Sequence, residues 1–330
     1  MRTESTSIWS VIRRLAAAAA VCLLAAAASA QRPIPMPQSG RESTMTVAQI
    51  VERQRESYAR IRNAVGEAVW REERLTTGGA MERVSRVVFF ALEGDDSVTL
   101  IQAWNEVPPL PSRSAPLNWR EVLAAALVVS DTVYMIGLPE GGTSPTVMAL
   151  PYNPAVHENN PLVAFHPRIL GDERVRLSML NAATGDMARP PRVTEFTANG
   201  YALMRIEFSN PAHPRDLVYY IVNPARGYLT EEIGVIKNGR QRVRTQIVVG
   251  HTKDGTWVPA RRHRQEFDQN GRLVLRETWY YWSLAVNEGI PRRALTFDVF
   301  HLPPDVAILR PGRPAPPADR ATTPPSPSTP

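Results

Sequence analysis

The sequence predicts a mainly β fold with helices: a curled antiparallel meander forming an incomplete β-barrel, with an N-terminal amphipathic helix packed on it. Three observations carry that expectation. A single well-capped helical pattern opens the folded region, and the apolar period then drops to two. Asn238-Gly239, Asp254-Gly255 and Asn270-Gly271 punctuate the last third as hairpin signals, because a type I′ turn needs positive φ at both central positions. Ten or more strands also exceed what a flat open sheet accommodates, so the sheet must curl.

The helix starts at Thr46, whose hydroxyl can cap it while Gln49 at the third helical position completes a capping box and Met45 and Ile50 form a hydrophobic staple. Val47, Ile50, Val51, Tyr58, Ile61 and Val65 make one apolar stripe, which runs the helix to position 65, with Gly66 near its end. Glu52, Arg53, Arg55, Glu56, Arg60 and Arg62 occupy the other face. Ala68-Val69-Trp70 begins the first strand, and 84–92 with 98–104 form a hairpin around Glu93-Gly94-Asp95-Asp96. Residues 105–121 read as a Pro-rich loop, 122–127 as a helical turn and 128–138 as one strand. Prolines interrupt 139–192, where only 174–180 reads as a short helix. Strands follow at 193–198, 201–208, 216–222, 228–236, 240–249, 256–267, 272–285 and 295–300.

The ends of the chain differ in kind from its middle. Residues 1–30 read as a signal peptide: Arg13 and Arg14 precede an apolar run at 15–27, and Ala28-Ser29-Ala30 offers a cleavage site before Gln31. The run is shorter than the ~20 residues that span a bilayer. Cys22, the one cysteine, lies inside it, so the mature chain has no disulfide and no thiolate metal site. A periplasmic or secreted location is therefore expected. Residues 31–44 read as a linker, 45–310 as the folded domain and 311–330 as a disordered Pro-rich tail. The formal charge is +6, of which the signal accounts for two, and the +4 left is too small to indicate a nucleic-acid partner.

No catalytic constellation is present. The sequence has no G-x-S-x-G elbow, H-E-x-x-H, P-loop, G-x-G-x-x-G or acidic calcium loop. His157, His166 and His213 sit among prolines, His251 lies by a turn, His301 precedes Leu302-Pro303-Pro304, and no two are at ligand spacing. His263 stands among Arg261, Arg262 and Arg264, which disfavour its protonated form. We therefore expect no enzyme, no metal and no cofactor.

The face pattern points instead to binding. Met204, Ile206, Phe208, Val243, Ile247, Trp279 and Tyr281 form the apolar set expected to line the inner face. In the run 279–282, Trp279 and Tyr281 share one face and Tyr280 and Trp282 the other; Leu273 and Leu275 extend the first, which places that pair on the cavity side. Arg240, Arg242, Arg244, Arg261, Arg262, Arg264, Arg272 and Arg276 fall on adjacent strands. They read either as an anion-binding face or as cross-strand partners of Glu231, Glu232, Glu266 and Glu277. A two-residue loop at Asn238-Gly239 would set Val235 against Arg242, an apolar residue against a charge.

These segments together resemble a known family. The capped helix, the strand ending Trp70-Arg71-Glu72-Glu73, Val129-Ser130-Asp131-Thr132-Val133-Tyr134, Tyr219-Tyr220-Ile221-Val222-Asn223-Pro224-Ala225-Arg226-Gly227-Tyr228, Asp254-Gly255-Thr256-Trp257-Val258-Pro259-Ala260 and Leu295-Thr296-Phe297-Asp298-Val299 follow in order across about 46 to 305. This outline resembles the LolA/LolB-like superfamily of periplasmic lipoprotein-sorting proteins, whose strand pairs read roughly D-P-x-x-G-Y and D-G-x-W-x-P. Asn223 stands where the pattern has Asp, and 105–121 and 139–192 look like additions. The resemblance implies a half-barrel with a hydrophobic cavity for acyl chains, a monomer whose partner is an acyl lipid or lipoprotein. The alternative is an envelope interaction or regulatory module with a packed core, which binds envelope proteins through its arginines or its tail.

Overall fold

The structure, a computed structural model, describes residues 40–76, 78–94, 97–104, 119–152, 190–210 and 212–310. The expected signal peptide, the Pro-rich tail, the short helix at 174–180, Cys22, His157 and His166 lie outside the described residues.

One α-helix, α1 (Val47–Ala59), packs on a single large sheet among the described residues. Its strands are β1 (Arg41–Glu42), β2 (Asn63–Leu75), β3 (Met81–Glu93), β4 (Ser97–Trp104), β5 (Val122–Val129), β6 (Thr132–Gly137), β7 (Thr146–Pro151), β8 (Arg192–Ala198), β9 (Tyr201–Asn210), β10 (His213–Asn223), β11 (Leu229–Lys237), β12 (Arg240–His251), β13 (Trp257–Phe267), β14 (Leu273–Val286) and β15 (Ile308–Leu309). The spatial order is β1-β8-β9-β10-β11-β12-β13-β14-β2-β3-β4-β5-β6-β7-β15. Two meanders, β2–β7 and β8–β14, are thus joined along the antiparallel pair β14–β2. The sheet curls without closing into a barrel, as the strand count requires.

Curling gives the sheet a concave and a convex face. Tyr58 and Ile61 meet Val88, Phe90, Ala126 and Val133 from one meander and Ile247, Val249, Val258 and Trp279 from the other in one concave-face core. Farther along α1, Val47, Ile50 and Val51 pack on Val193, Met204, Ile206, Phe208, Tyr220, Val222 and Ile233. On the convex side, 3-10 turns Arg292–Leu295 and Phe297–Phe300 cover Phe89, Ile101, Leu127 and Ile136.

Local chemistry places α1. Thr46 and Gln49 form both bonds of the capping box. The helix then stops at Ala59, so Val65 belongs to β2, and Gly66 lies inside that strand. Gln54 is buried and donates through Nε2 to the Tyr228 carbonyl at 2.7 Å and to Thr230 Oγ1 at 3.1 Å, clamping α1 onto the β10–β11 turn. In that turn Gly227 has φ +69, and a Cβ there would collide with the Ser57 side chain. Asn223 donates through Nδ2 to Glu231 Oε1 at 2.8 Å, a bond that an ionised Asp at this position could not make. Arg226 reaches the same oxygen at 2.8 Å.

Several expectations change. Residues 122–127 form strand β5, and 128–138 fold as a β5–β6 hairpin turning at Ser130-Asp131. The last expected strand, 295–300, is a pair of 3-10 turns instead. Arg41–Glu42, in the expected linker, pairs with β8. The hairpins at Asn238-Gly239, Asp254-Gly255 and Asn270-Gly271 all form, as does one at Asn199-Gly200 between β8 and β9; φ is positive at both positions of 199–200 and 238–239, whereas at 254–255 and 270–271 only the glycine has it. There Gly255 donates to the Thr252 carbonyl and Gly271 to that of Asp268, each at 3.0 Å, the pattern of a type I turn ending in a left-handed glycine. The Val235–Arg242 mismatch is removed by a bulge: Ile236 pairs with Gln241 and Val235 with Val243, so that Arg242 is skipped.

Candidate concave-face site

The register of five strands builds the site. Directly opposite one another, Ile247, Arg262, Trp279, Trp70 and Arg86 form a row across β12, β13, β14, β2 and β3. Period-2 alternation keeps this row and its neighbours two residues away on one face. On one side the next rows are apolar: Tyr281–Ala68–Val88, then Leu284–Gly66–Phe90, then Val286–Ala64–Leu92. On the other side the row is Thr245–Arg264–Glu277–Glu72–Val84, followed by Val243–Glu266–Leu275–Arg74–Glu82. The concave face therefore grades along its strands from hydrocarbon to charge, with two tryptophans flanked by two arginines at the boundary.

The aromatic contacts are specific. Trp279, 2 % exposed, meets Tyr281 edge-on at 4.3 Å between centroids, and Tyr281 lies 5.4 Å from Phe90. The Arg86 guanidinium sits 4.3 Å over the half-buried Trp70 ring. Arg262 is ion-paired with buried Glu277, Arg264 with Glu266, and Arg74 with Glu72 at 2.9 Å. The Tyr281 hydroxyl is buried without a hydrogen-bond partner among the described residues, and burial pushes its pKa well above the phenol range. A buried hydroxyl left in that state costs about 1–3 kcal/mol and can be satisfied by a ligand oxygen.

All seven residues expected to line the inner face lie on it, in two groups. Met204, Ile206 and Phe208 are buried beneath α1, where Val47, Ile50 and Val51 fill the space above them. Ile247, Trp279 and Tyr281 belong to the tryptophan region, while Val243 is half-buried in the charged rows. Sequence reasoning missed Trp70, which lies opposite Trp279, and Arg86 and Phe90, one strand farther on β3; their juxtaposition with β14 depends on a pairing between distant segments. Tyr280 is on the convex face, with Arg71 5.9 Å from its ring centroid, and a bulge between Tyr281 and Ser283 interrupts the backbone register after it; the Trp282 side chain lies outside what the structure describes. Nor do the arginines make one face, since Arg262 and Arg264 are concave while Arg244, Arg261 and Arg276 are convex.

Near the helix end, Asp254 accepts from Asn287 Nδ2 at 2.8 Å and from the Thr256 backbone at 3.2 Å, and Thr252 Oγ1 also donates to it. Burial opposes its ionisation, but these hydrogen bonds outweigh it and hold its pKa at about 2. Asn287 also donates to the Arg60 carbonyl at 3.0 Å, so this carboxylate ties the β12–β13 turn to the end of α1.

No family model and no curated protein matches the chain. Solved structures do. A domain assigned to outer-membrane lipoprotein sorting from Vibrio parahaemolyticus is similar at 9% identity and a TM-score of 0.41, over 77% of this chain and 99% of that one. A DUF1329 family protein from Desulfovibrio piger is similar at 12% identity and a TM-score of 0.41, covering 78% and 100%. A LolA superfamily protein from Nitrosomonas europaea is similar at 12% identity and a TM-score of 0.39, again over 78% and 100%. At these values the similarity is one of general outline.

Proposed function

We propose that the protein is an exported, non-enzymatic carrier that binds an acyl lipid, or the acyl part of a lipoprotein, on its concave face. The observation that supports this most is the gradient along β14, β2 and β3. Apolar rows give way at Trp279 and Trp70 to Arg262 and Arg86 and then to ion-paired rows. An amphiphile with an apolar chain and a polar head has the same order. Burying a ~16-carbon chain at about 0.8 kcal/mol per methylene gives ~12 kcal/mol gross, before the costs of ordering and association. Firm binding therefore needs no catalytic residue. Export to the periplasm or beyond follows from the signal-peptide reading of residues 1–30.

Native mass spectrometry of gently purified protein tests the reading. Co-purifying acyl lipid, or stoichiometric uptake of a fluorescent fatty-acyl probe, is the expected result. Protein that is free of lipid and refuses the probe overturns it in favour of an envelope interaction module.

A further inference from the structure

The same strands present a different chemistry on the convex face. Three rows cross β13, β14, β2 and β3 there: Arg261–Tyr280–Val69–Val87, His263–Thr278–Arg71–Ser85 and Gln265–Arg276–Glu73–Arg83. Four arginines thus surround one carboxylate. Glu73 takes both Arg83 and Arg276 at 3.1 Å, yet those side chains remain 79% and 45% exposed. Arg71 and Arg261 are exposed and form no ion pair among the described residues. His263, bonded to Thr278 Oγ1 at 3.1 Å, has its pKa held below the ordinary value by burial and then by Arg261 and Arg276.

We infer that this convex patch docks on the surface of an anionic lipid bilayer. The arginine forks suit bidentate contact with phosphate oxygens. Tyr280, half-buried between Arg261 and Arg71, has the amphipathic ring that suits headgroup depth. The patch spans four adjacent strands about 4.8 Å apart and carries His263, Thr278, Ser85 and Gln265 between its charges, with Val69 and Val87 buried at its edge, so it offers a broad surface of net positive charge. A protein resting on this face directs its concave face away from the bilayer, so the inference stands or falls independently of the carrier reading.

Co-sedimentation of the purified protein with vesicles of phosphatidylglycerol, phosphatidylcholine or a mixture tests it. Binding is expected to phosphatidylglycerol-rich vesicles only, and to be lost at high salt. The double variant Arg71→Gln with Arg261→Gln should bind those vesicles ~30-fold more weakly, from roughly fivefold per exposed arginine, with acyl-probe uptake unchanged. Glu73→Gln, which removes the one carboxylate of the patch, should bind about fivefold more tightly, and it serves as the test if the double variant fails to fold. Absence of binding by the parent protein, or binding unaffected by these changes, overturns the inference. So does equal preference for soluble polyglutamate, which would assign the patch to an acidic protein.

Discussion

The concave face has two halves built from the same sheet, and they differ in what sits above them. Over β8–β11, the apolar side chains Met204, Ile206 and Phe208 are met by Val47, Ile50 and Val51 of α1. That half is closed by the chain itself, held in place by the Gln54 clamp and the capping box. Over β13, β14, β2 and β3, Tyr58 and Ile61 cover the apolar rows, and beyond them the face carries Trp70 and Trp279, a tyrosine hydroxyl without a hydrogen-bond partner among the described residues, and arginines tied to carboxylates. An apolar inner face is therefore not in itself a binding face. On the proposed reading, the half that mixes large aromatics with charge at a boundary takes the ligand, whereas the half beneath Val47, Ile50 and Val51 is a helix seat.

This contrast can be broken by mutation. The largest effect is expected in the helix seat: Phe208→Ala should lower unfolding free energy by about 3–5 kcal/mol, as truncation of a buried aromatic does, while the folded fraction still takes up an acyl probe normally. Chemical denaturation with probe titration separates the two readouts. A variant that keeps its stability but loses the probe would move the binding site beneath α1.

A smaller effect concerns how α1 is fastened at the other end. Because the Asp254 pKa is lowered to about 2, its contribution is present above its ordinary value near 4 and is lost as pH falls towards 2. The carboxylate is largely exposed, so the contribution should stay below about 1 kcal/mol after solvent screening. Asp254→Asn should thus melt slightly below the parent at neutral pH and converge with it near pH 2. A gap that stays constant across that range would mean that the ionised carboxylate does not fasten the turn.

How much of this was legible in the sequence follows the locality of each feature. The Thr46 cap and the hairpins at 199–200, 238–239, 254–255 and 270–271 are decided within a few residues, and all formed. The stretch 122–127 reads as helix because Ala124, Ala125 and Ala126 favour it, whereas pairing with β4, and of the last two with β6, holds them as strand. Leu295, Phe297 and Val299 alternate like a strand but fold as 3-10 turns, with Phe297 edge-on to Tyr134 at 4.9 Å. At the site, alternation alone assigned Trp279 and Tyr281 to one face. Trp70 and Arg86 could join them only once β2 was known to lie beside β14, and no local signal specifies that pairing.

The most direct test of the carrier reading is the affinity of a fluorescent fatty-acyl probe for Trp70→Ala, measured beside the parent protein and Phe208→Ala. Trp70 is half-buried at the boundary row, so its truncation should leave a folded protein that binds the probe at least tenfold more weakly, the ~1.4 kcal/mol that loss of part of a buried aromatic contact readily supplies. If Trp70→Ala is folded and takes up the probe as the parent does, the tryptophan half of the concave face is not the binding site and the proposed function is contradicted.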